Sequence, residues 1–441
     1  MNSRIKEIRG RRIWDSRGRP TVEVDMLLED GSRGRGAAPA GASTGSGEAL
    51  DLRDGGTKLG GFGVTRALGH IAETIAPALR GMDACAQDGI DACLTGLDGT
   101  RNCSRLGGNA MIATSLAAAS AAAAFQKLPL WKSLSGGSSP EFMPLPEIQI
   151  YGGGAHAGRR VDVQDFMVIA VGAPDYGTAL EWTAEVYLSA GKLMGATGRL
   201  QGVADEGGWW PAFDSNEEGL DYLVRAIEAA GLVPGEQMAI SLDIAASDFG
   251  KGGRYRLARD GRELDSAGMT EMLLGWLGKY PIVSIEDPLA EDDPDGMAAF
   301  TRAAGKGVQV VGDDFLVTDA ARIRDAAAQG QCNCALIKPN QIGTVTGTRA
   351  ALEAARTAGW GTIVSARSGE TEDAAIAHLA IGWATGQLKV GSFARSERMV
   401  KWNEVLRVAE EAPCGLALPP RGGFAWGAVE PTRKLGGNRC A

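Results

Sequence analysis

Hydrophobic and polar positions alternate from Thr21 to Leu28, and Glu29-Asp30-Gly31 closes that run with a turn signal. Period-two alternation of this kind predicts a half-buried strand. A glycine-rich loop follows from Pro39 to Ala49, and helical spacing then dominates from about Val64 to Lys127. Within it, the uncharged run from Ala110 to Phe125 is shorter than the roughly 20 apolar residues a membrane span needs, so it predicts a buried helix. Pro129 and the Gly136-Gly137 pair mark a boundary. The expectation is a small α+β domain over residues 1–135.

Beyond that boundary the rhythm changes. Apolar runs ending in a charged or polar residue recur at Glu286, Asp313, Lys338, Ser365 to Arg367, and Lys389, at steps of 24 to 27 residues. Each step holds an alanine-rich helical stretch, such as Asp319 to Gln329 or Thr348 to Ala358. That is the period of a βα unit. Two earlier runs, ending at Asp243 and Glu206, extend the series towards eight repeats. The predicted fold class is α/β, with a C-terminal (β/α)8 TIM-type barrel over 140–427 and a tail over 428–441 that carries no functional reading. Such barrels assemble their sites at the C-terminal ends of the strands, where these polar residues fall.

Composition narrows the partners. The chain of 441 residues carries 45 Lys and Arg against 54 Asp and Glu, a net charge of -9, with no basic block. Nucleic acid and anionic membrane both require clustered positive charge and are not expected as partners. The N-terminus has charge but no apolar segment of a secretory signal. Seven cysteines are scattered without a CxxC pair. Cys332 and Cys334 would share one face of a strand, and with no histidine nearby they are expected as ordinary thiols, not zinc ligands. A reducing, cytoplasmic setting follows. The 63 glycines, about double the usual 7%, imply many tight turns.

Asp243, Glu286 and Asp313 are three carboxylates on consecutive strand ends. Carboxylate oxygens without histidine or cysteine form the ligand set of a hard cation such as Mg²⁺ or Mn²⁺. The alternative is that each pairs with a separate Arg or Lys. Lys338 and Lys389 come next. A second lysine and a divalent cation would disfavour the charged form of either one and lower its pKa, making it a base. The chemistry implied is proton abstraction next to a carboxylate, with a metal stabilising the enolate.

The segments WDSRGRPTVEVD, PAGASTGSGEALDLRDG, VADEGG, SLDIAASDF, YPIVSIEDPLAEDD, VGDDFLVT, LIKPNQIGT, SARSGETED, GQLKVGS and ARSERMVKWNEVLR resemble the enolase family in order and spacing. The resemblance spans roughly residues 5 to 410. It implies a carbon–oxygen lyase with two Mg²⁺ ions, one held by Asp243, Glu286 and Asp313 and a second arriving with substrate and bound in part by Ser43. It implies Lys338 as the base at C2, Lys389 on the substrate carboxylate, and Glu206 on the side of the C3 hydroxyl. Gln164, Arg367 and Ser368 match substrate and phosphate contacts, and His156 matches a loop histidine that closes over the substrate. A homodimer or higher oligomer is implied by the family alone. His70 and His378, in helical patterns, are expected to be structural.

Two departures fall in the predicted site. Ala366 stands where the family motif carries histidine, and Asp165 stands where it carries glutamate, withdrawing a catalytic carboxylate by ~1.5 Å. Tyr151, Ala155, Arg159, Arg160, Trp209, Trp210 and Pro339 also differ. The acids, both lysines, Ser43 and the Arg367-Ser368 pair are retained, so C2 chemistry is expected to survive while the phosphoryl and hydroxyl end is altered. The added arginines could meet extra negative charge. That asymmetry points to a phosphorylated or phosphonylated carboxylate altered at phosphorus, as in the carboxyphosphonoenolpyruvate synthase type of relative, which serves phosphonate and phosphinate antibiotic biosynthesis. The alternatives are an ordinary phosphopyruvate hydratase of glycolysis and a non-catalytic enolase-like binding protein.

Overall fold

A computed structural model describes residues 2–42 and 44–428. Ser43 and the tail residues from 429 onward lie outside the described residues. The chain begins with an antiparallel meander of β1 (Ile5–Trp14), β2 (Pro20–Leu28) and β3 (Arg33–Ala37). The alternation in β2 is realised as predicted. Val22, Val24, Met26 and Leu28 are fully buried, while Glu23 and Asp25 meet Arg11 and Arg35 on the other face.

The buried face of the meander lies on the helix Gly108–Gln126, the one helix among the described residues long and apolar enough to cross a membrane. It is instead packed inside the protein, with side chains from Gly108 through Ala119 almost all buried. Its alanines and serines let β3 approach unusually closely. A Cβ on Gly34 would sit 2.1 Å from the backbone nitrogen of Ala121 and 2.2 Å from the carbonyl oxygen of Ala117. Gly36 meets the same helix one turn earlier, with Ala113 O 2.6 Å from the position of a Cβ.

The barrel closes in the order β4 (Leu145–Gly152), β5 (Asp165–Ile169), β8 (Ala239–Asp243), β12 (Ile282–Glu286), β13 (Gln309–Gly312), β14 (Cys334–Ile337), β15 (Gly361–Ser365) and β16 (Gly386–Ser392), which pairs back to β4. The small strands β9 (Gly250–Lys251), β10 (Arg254–Leu257) and β11 (Arg262–Asp265) form a separate sheet. Six of the eight barrel pairings are parallel; β5 runs antiparallel to both β4 and β8. The run ending at Glu206 is not a stave. It is β6 (Leu200–Val203), which pairs with β7 (Trp209–Pro211) in a hairpin appended to β4. Simple counting of βα repeats therefore overextends the series by one strand and misses the reversal at β5.

Asp175, Ser215, Asp265, Asp293, Asp319 and Thr344 each cap an outer helix, their side-chain oxygens accepting backbone N–H groups of the first turn. Such caps satisfy donors that a helix start otherwise leaves open. Cys332 and Cys334 do not share a face. Cys334 joins Val311, Leu336 and Ile363 in one small core cluster, whereas Cys332, just before β14, packs in the larger core with the outer helices. Both thiols are buried and free.

The close β3–helix contact gives a sharp stability test. Gly34→Ala should cost about 3 kcal/mol or more, because backbone on both sides must move. Gly96→Ala, in the exposed helix Gln87–Asp98 with nothing near its Cβ position, should stabilise by about 0.5–1 kcal/mol. Denaturant unfolding of the two variants checks both signs.

Candidate functional site

The strand ends deliver the predicted side chains to one rim. Asp243 ends β8, Glu286 ends β12, Asp313 follows β13, Lys338 follows β14, Arg367 and Ser368 follow β15, and Lys389 lies within β16. Because β5 is reversed, its first residue, Asp165, reaches the same rim, in register with Asp243. Gln164 precedes it, its backbone N–H on Asp243 O and its amide Nε2 3.1 Å from Asp243 Oδ2. Glu206 arrives on the β6–β7 turn and His156 on the short turn Gly154–Ala157. All of these are at most 9% exposed. All but Glu286 and Asp313 line one small cavity, together with Ser365, Ala366, Val390 and Gly391.

Two lysines neutralise the acids. Lys389 Nζ donates to Asp243 Oδ2 at 2.9 Å and Glu286 Oε2 at 2.7 Å, with Asp165 at 3.8 Å. Burial opposes its charge, yet Asp243 and Glu286 outweigh that and lift its pKa. One lysine cannot satisfy two carboxylates. Burial, and then the charge of Asp243, push Glu286 well above the usual carboxylate range, and its Oε1 is buried with no hydrogen-bond partner. Lys338 Nζ is bonded to Asp313. Burial disfavours both charges, but each partner overcomes it: Asp313 is held below its ordinary value and Lys338 above. From the protein groups alone the Lys338 pKa is raised, because Asp313 against it outweighs burial, Arg367 and Lys389.

The predicted trio Asp243, Glu286 and Asp313 is brought to one rim, but lysines stand between its members. Among the described residues, the tightest clusters of ligand-type atoms are His156 with Asp165 and Glu206, and Asp287 with Asp313 and Asp314. In the second, Asp287 accepts the backbone N–H groups of Asp313 and Asp314 at 2.9 and 2.8 Å, so it braces the turn that presents Asp313.

On the opposite side, His156 Nδ1 lies 3.0 Å from Asp165 Oδ1, and Nε2 lies 3.0 Å from Ser368 Oγ and 3.6 Å from Glu206 Oε1. Burial works against a charged ring. Asp165 and Glu206 prevail and raise His156 to about 9. Arg367 forms a bidentate pair with Glu48 of the glycine-rich loop, at 2.8 and 3.2 Å, and its Nη1 also reaches Asn340 Oδ1.

Glu48, Gln149, Asp287 and Gln341 were not foreseen from the sequence. Glu48 is the sole acid of the glycine-rich loop from Pro39 to Ala49 and could have been flagged on that ground. Glu147 and Gln149 interrupt an apolar strand at alternate positions, which in a barrel places them inside. The remaining departures are mostly packing. Tyr151 is fully buried against Phe213, with ring centroids 5.3 Å apart, and Trp209 stacks on Tyr187. Arg159 turns to Asp248, Arg160 is exposed, and neither lines the cavity.

Residues 140–415 match the family profile described as "Enolase, C-terminal TIM barrel domain", and residues 5–134 match "Enolase, N-terminal domain". The chain is 46% identical over 430 residues to Enolase 1 of Desulfitobacterium hafniense (strain Y51), covering 97% of this chain and 98% of that protein.

In metal-free protein, NMR titration of the histidine rings should place His156 near about 9, and Asp165→Asn should lower it. Its pKa is raised on folding, so protonated His156 contributes its full stability below the unfolded value of about 6.5. That contribution is lost as pH rises through about 9. Thermal melts across this range should fall less steeply in Asp165→Asn.

Proposed function

The chain is a member of the enolase family, and from that premise we propose that it removes water from 2-phosphoglycerate to give phosphoenolpyruvate. The observation that carries this reading is the buried set of Asp243, Glu286 and Asp313 with only Lys338 and Lys389 to neutralise it. Such a set is costly to bury without a function for the charge. The set also fits Mg²⁺: the ligands are all oxygen, and Glu286 keeps an unpartnered buried oxygen. Asp243, Glu286 and Asp313 would hold the ion, and Ser43, which falls outside the described residues, remains the proposed contributor to a second. Bound Mg²⁺ supplies positive charge to the substrate carboxylate as charge builds there on loss of the C2 proton.

Lys338 takes the C2 proton on Nζ. Were Asp313 and Glu286 to hold a cation, the carboxylates that raise the Lys338 pKa would be engaged elsewhere, and burial, Arg367 and Lys389 would lower it. Lys389 then meets the substrate carboxylate. Arg367 and Ser368 face the phosphoryl group, with Gln164 beside them. On the side of the C3 hydroxyl, the protonated ring of His156, kept charged by Asp165, is the proton source, and Glu206, 3.6 Å from its Nε2, relays that proton to the departing hydroxyl. The lining side chains are all buried, a setting in which little water competes with these transfers. The six free cysteines among the described residues fit a reducing compartment such as the cytoplasm.

The carboxyphosphonoenolpyruvate synthase reading rested on Ala366, Asp165 and the added arginines. The arginines stand away from the cavity, Asp165 is bonded to His156, and the similarity to Enolase 1 is nearly end to end. Ala366, which lines the cavity, is the observation that still favours it. Incubation with Mg²⁺ and 2-phosphoglycerate in D₂O separates the two. Conversion to phosphoenolpyruvate that a chelator abolishes, and that Lys338→Ala slows by about 10²–10⁴-fold, is the expected result. C2 exchange without elimination would overturn it in favour of the altered substrate.

A further inference from the structure

Gln149 lies on β4, is fully buried, and belongs to none of the groups assigned above. Both ends of its amide are fixed. Oε1 accepts the backbone N–H of Gly208 at 2.9 Å, and Nε2 donates to Asp165 Oδ1. These partners leave only one orientation of the amide, since an N–H must meet an acceptor and a carboxylate must meet a donor. Two glycines wall its slot. A Cβ on Gly208 would stand 2.3 Å from Oε1, and one on Gly152 would stand 3.4 Å from Nε2. The same Asp165 oxygen that takes Nε2 also holds His156 Nδ1, and Gly208 follows Glu206 by two residues on one turn.

Resting on the dehydration reading, we propose that Gln149 is a positioning residue that sets the separation of Asp165 and Glu206, and thereby the seat of His156. The gap between β4 and the Asp165 carboxylate admits one long and one short side chain. Asp165 is the short acid, and Gln149 supplies the length that reaches it. Lengthening Asp165 to glutamate drives a carboxylate ~1.5 Å into an amide already at hydrogen-bond distance. Shortening Gln149 to asparagine opens the bond by the same increment. Each change alone therefore misplaces the His156 partner, and together they restore the combined reach.

The test is a double-mutant cycle of Gln149→Asn and Asp165→Glu, with turnover of 2-phosphoglycerate, unfolding midpoints, and the imidazole N–H resonance of His156 in metal-free protein. Each single variant should lose about 10²-fold in kcat with KM nearly unchanged, while remaining folded. The double variant should recover most of that loss, and the His156 resonance should broaden in the singles and return in the double. Wild-type turnover with Gln149→Asn near wild-type kcat, or losses that simply multiply in the double, would overturn the inference while leaving the dehydration reading intact. A wild type without turnover would overturn that reading, and the His156 resonance then decides the positioning role alone: unchanged in the singles, it sinks the inference.

Discussion

Every feature of the rim follows from a shortage of buried positive charge. Asp165, Asp243, Glu286 and Asp313 are taken out of water, where an uncompensated charge costs several kcal/mol, and among the described residues Lys338, Lys389 and the protonated ring of His156 are the three cations in contact with the four. The lysines answer by contacting more than one acid or by locking to one. Glu286 is left under-satisfied. A site in this condition is one that a cation could complete, and the surrounding braces hold its acids in place. Asp287 fixes the backbone that carries Asp313. Gln341, held by Thr318, donates to Asp313 Oδ1 at 2.8 Å.

The barrel interior continues the same logic beneath the rim. Glu147 accepts from Ser241, Gln387 and Gln309 are joined at 3.0 Å, and Gln309 reaches Cys334. Burial, the largest influence on Glu147, raises its pKa against the opposing pull of Lys389 and Ser241. Buried polar side chains are tolerated best when bonded to one another, as these are, whereas Ser284 Oγ and Ser392 Oγ on the neighbouring barrel strands are left without a hydrogen-bond partner.

The parallel part of the barrel was legible in the sequence because in β8, β12, β13 and β14 the apolar run comes first and the functional residue last. Asp243, Glu286, Asp313 and Lys338 could be placed from that order alone. Asp165 could not, since β5 is reversed and its polar end precedes its apolar run. Glu206 sat in a similar apolar-then-acid string, yet its strand belongs to a hairpin, and local pattern does not distinguish a stave from an appendage. Cys332 and Cys334 misled for a related reason: two residues apart share a face only if both lie in the strand, and β14 starts at Cys334. The partners of Arg367 and Asp165 escaped notice because Glu48 is 319 residues from Arg367 and Gln149 is 16 from Asp165. No short-range spacing encodes such contacts.

On the dehydration reading, the Glu48–Arg367 pair would make anion binding at this site an exchange. The guanidinium is already buried against a carboxylate and also bonded to Asn340. An arriving anion would meet a cation whose dehydration was completed during folding, and it would take over hydrogen bonds that exist before it comes. A displaced Glu48 would draw on its loop, with Gln341, 3.2 Å away on its other side, still beside it. Ligand arrival and loop displacement at this rim would then be the two halves of one substitution at a single arginine.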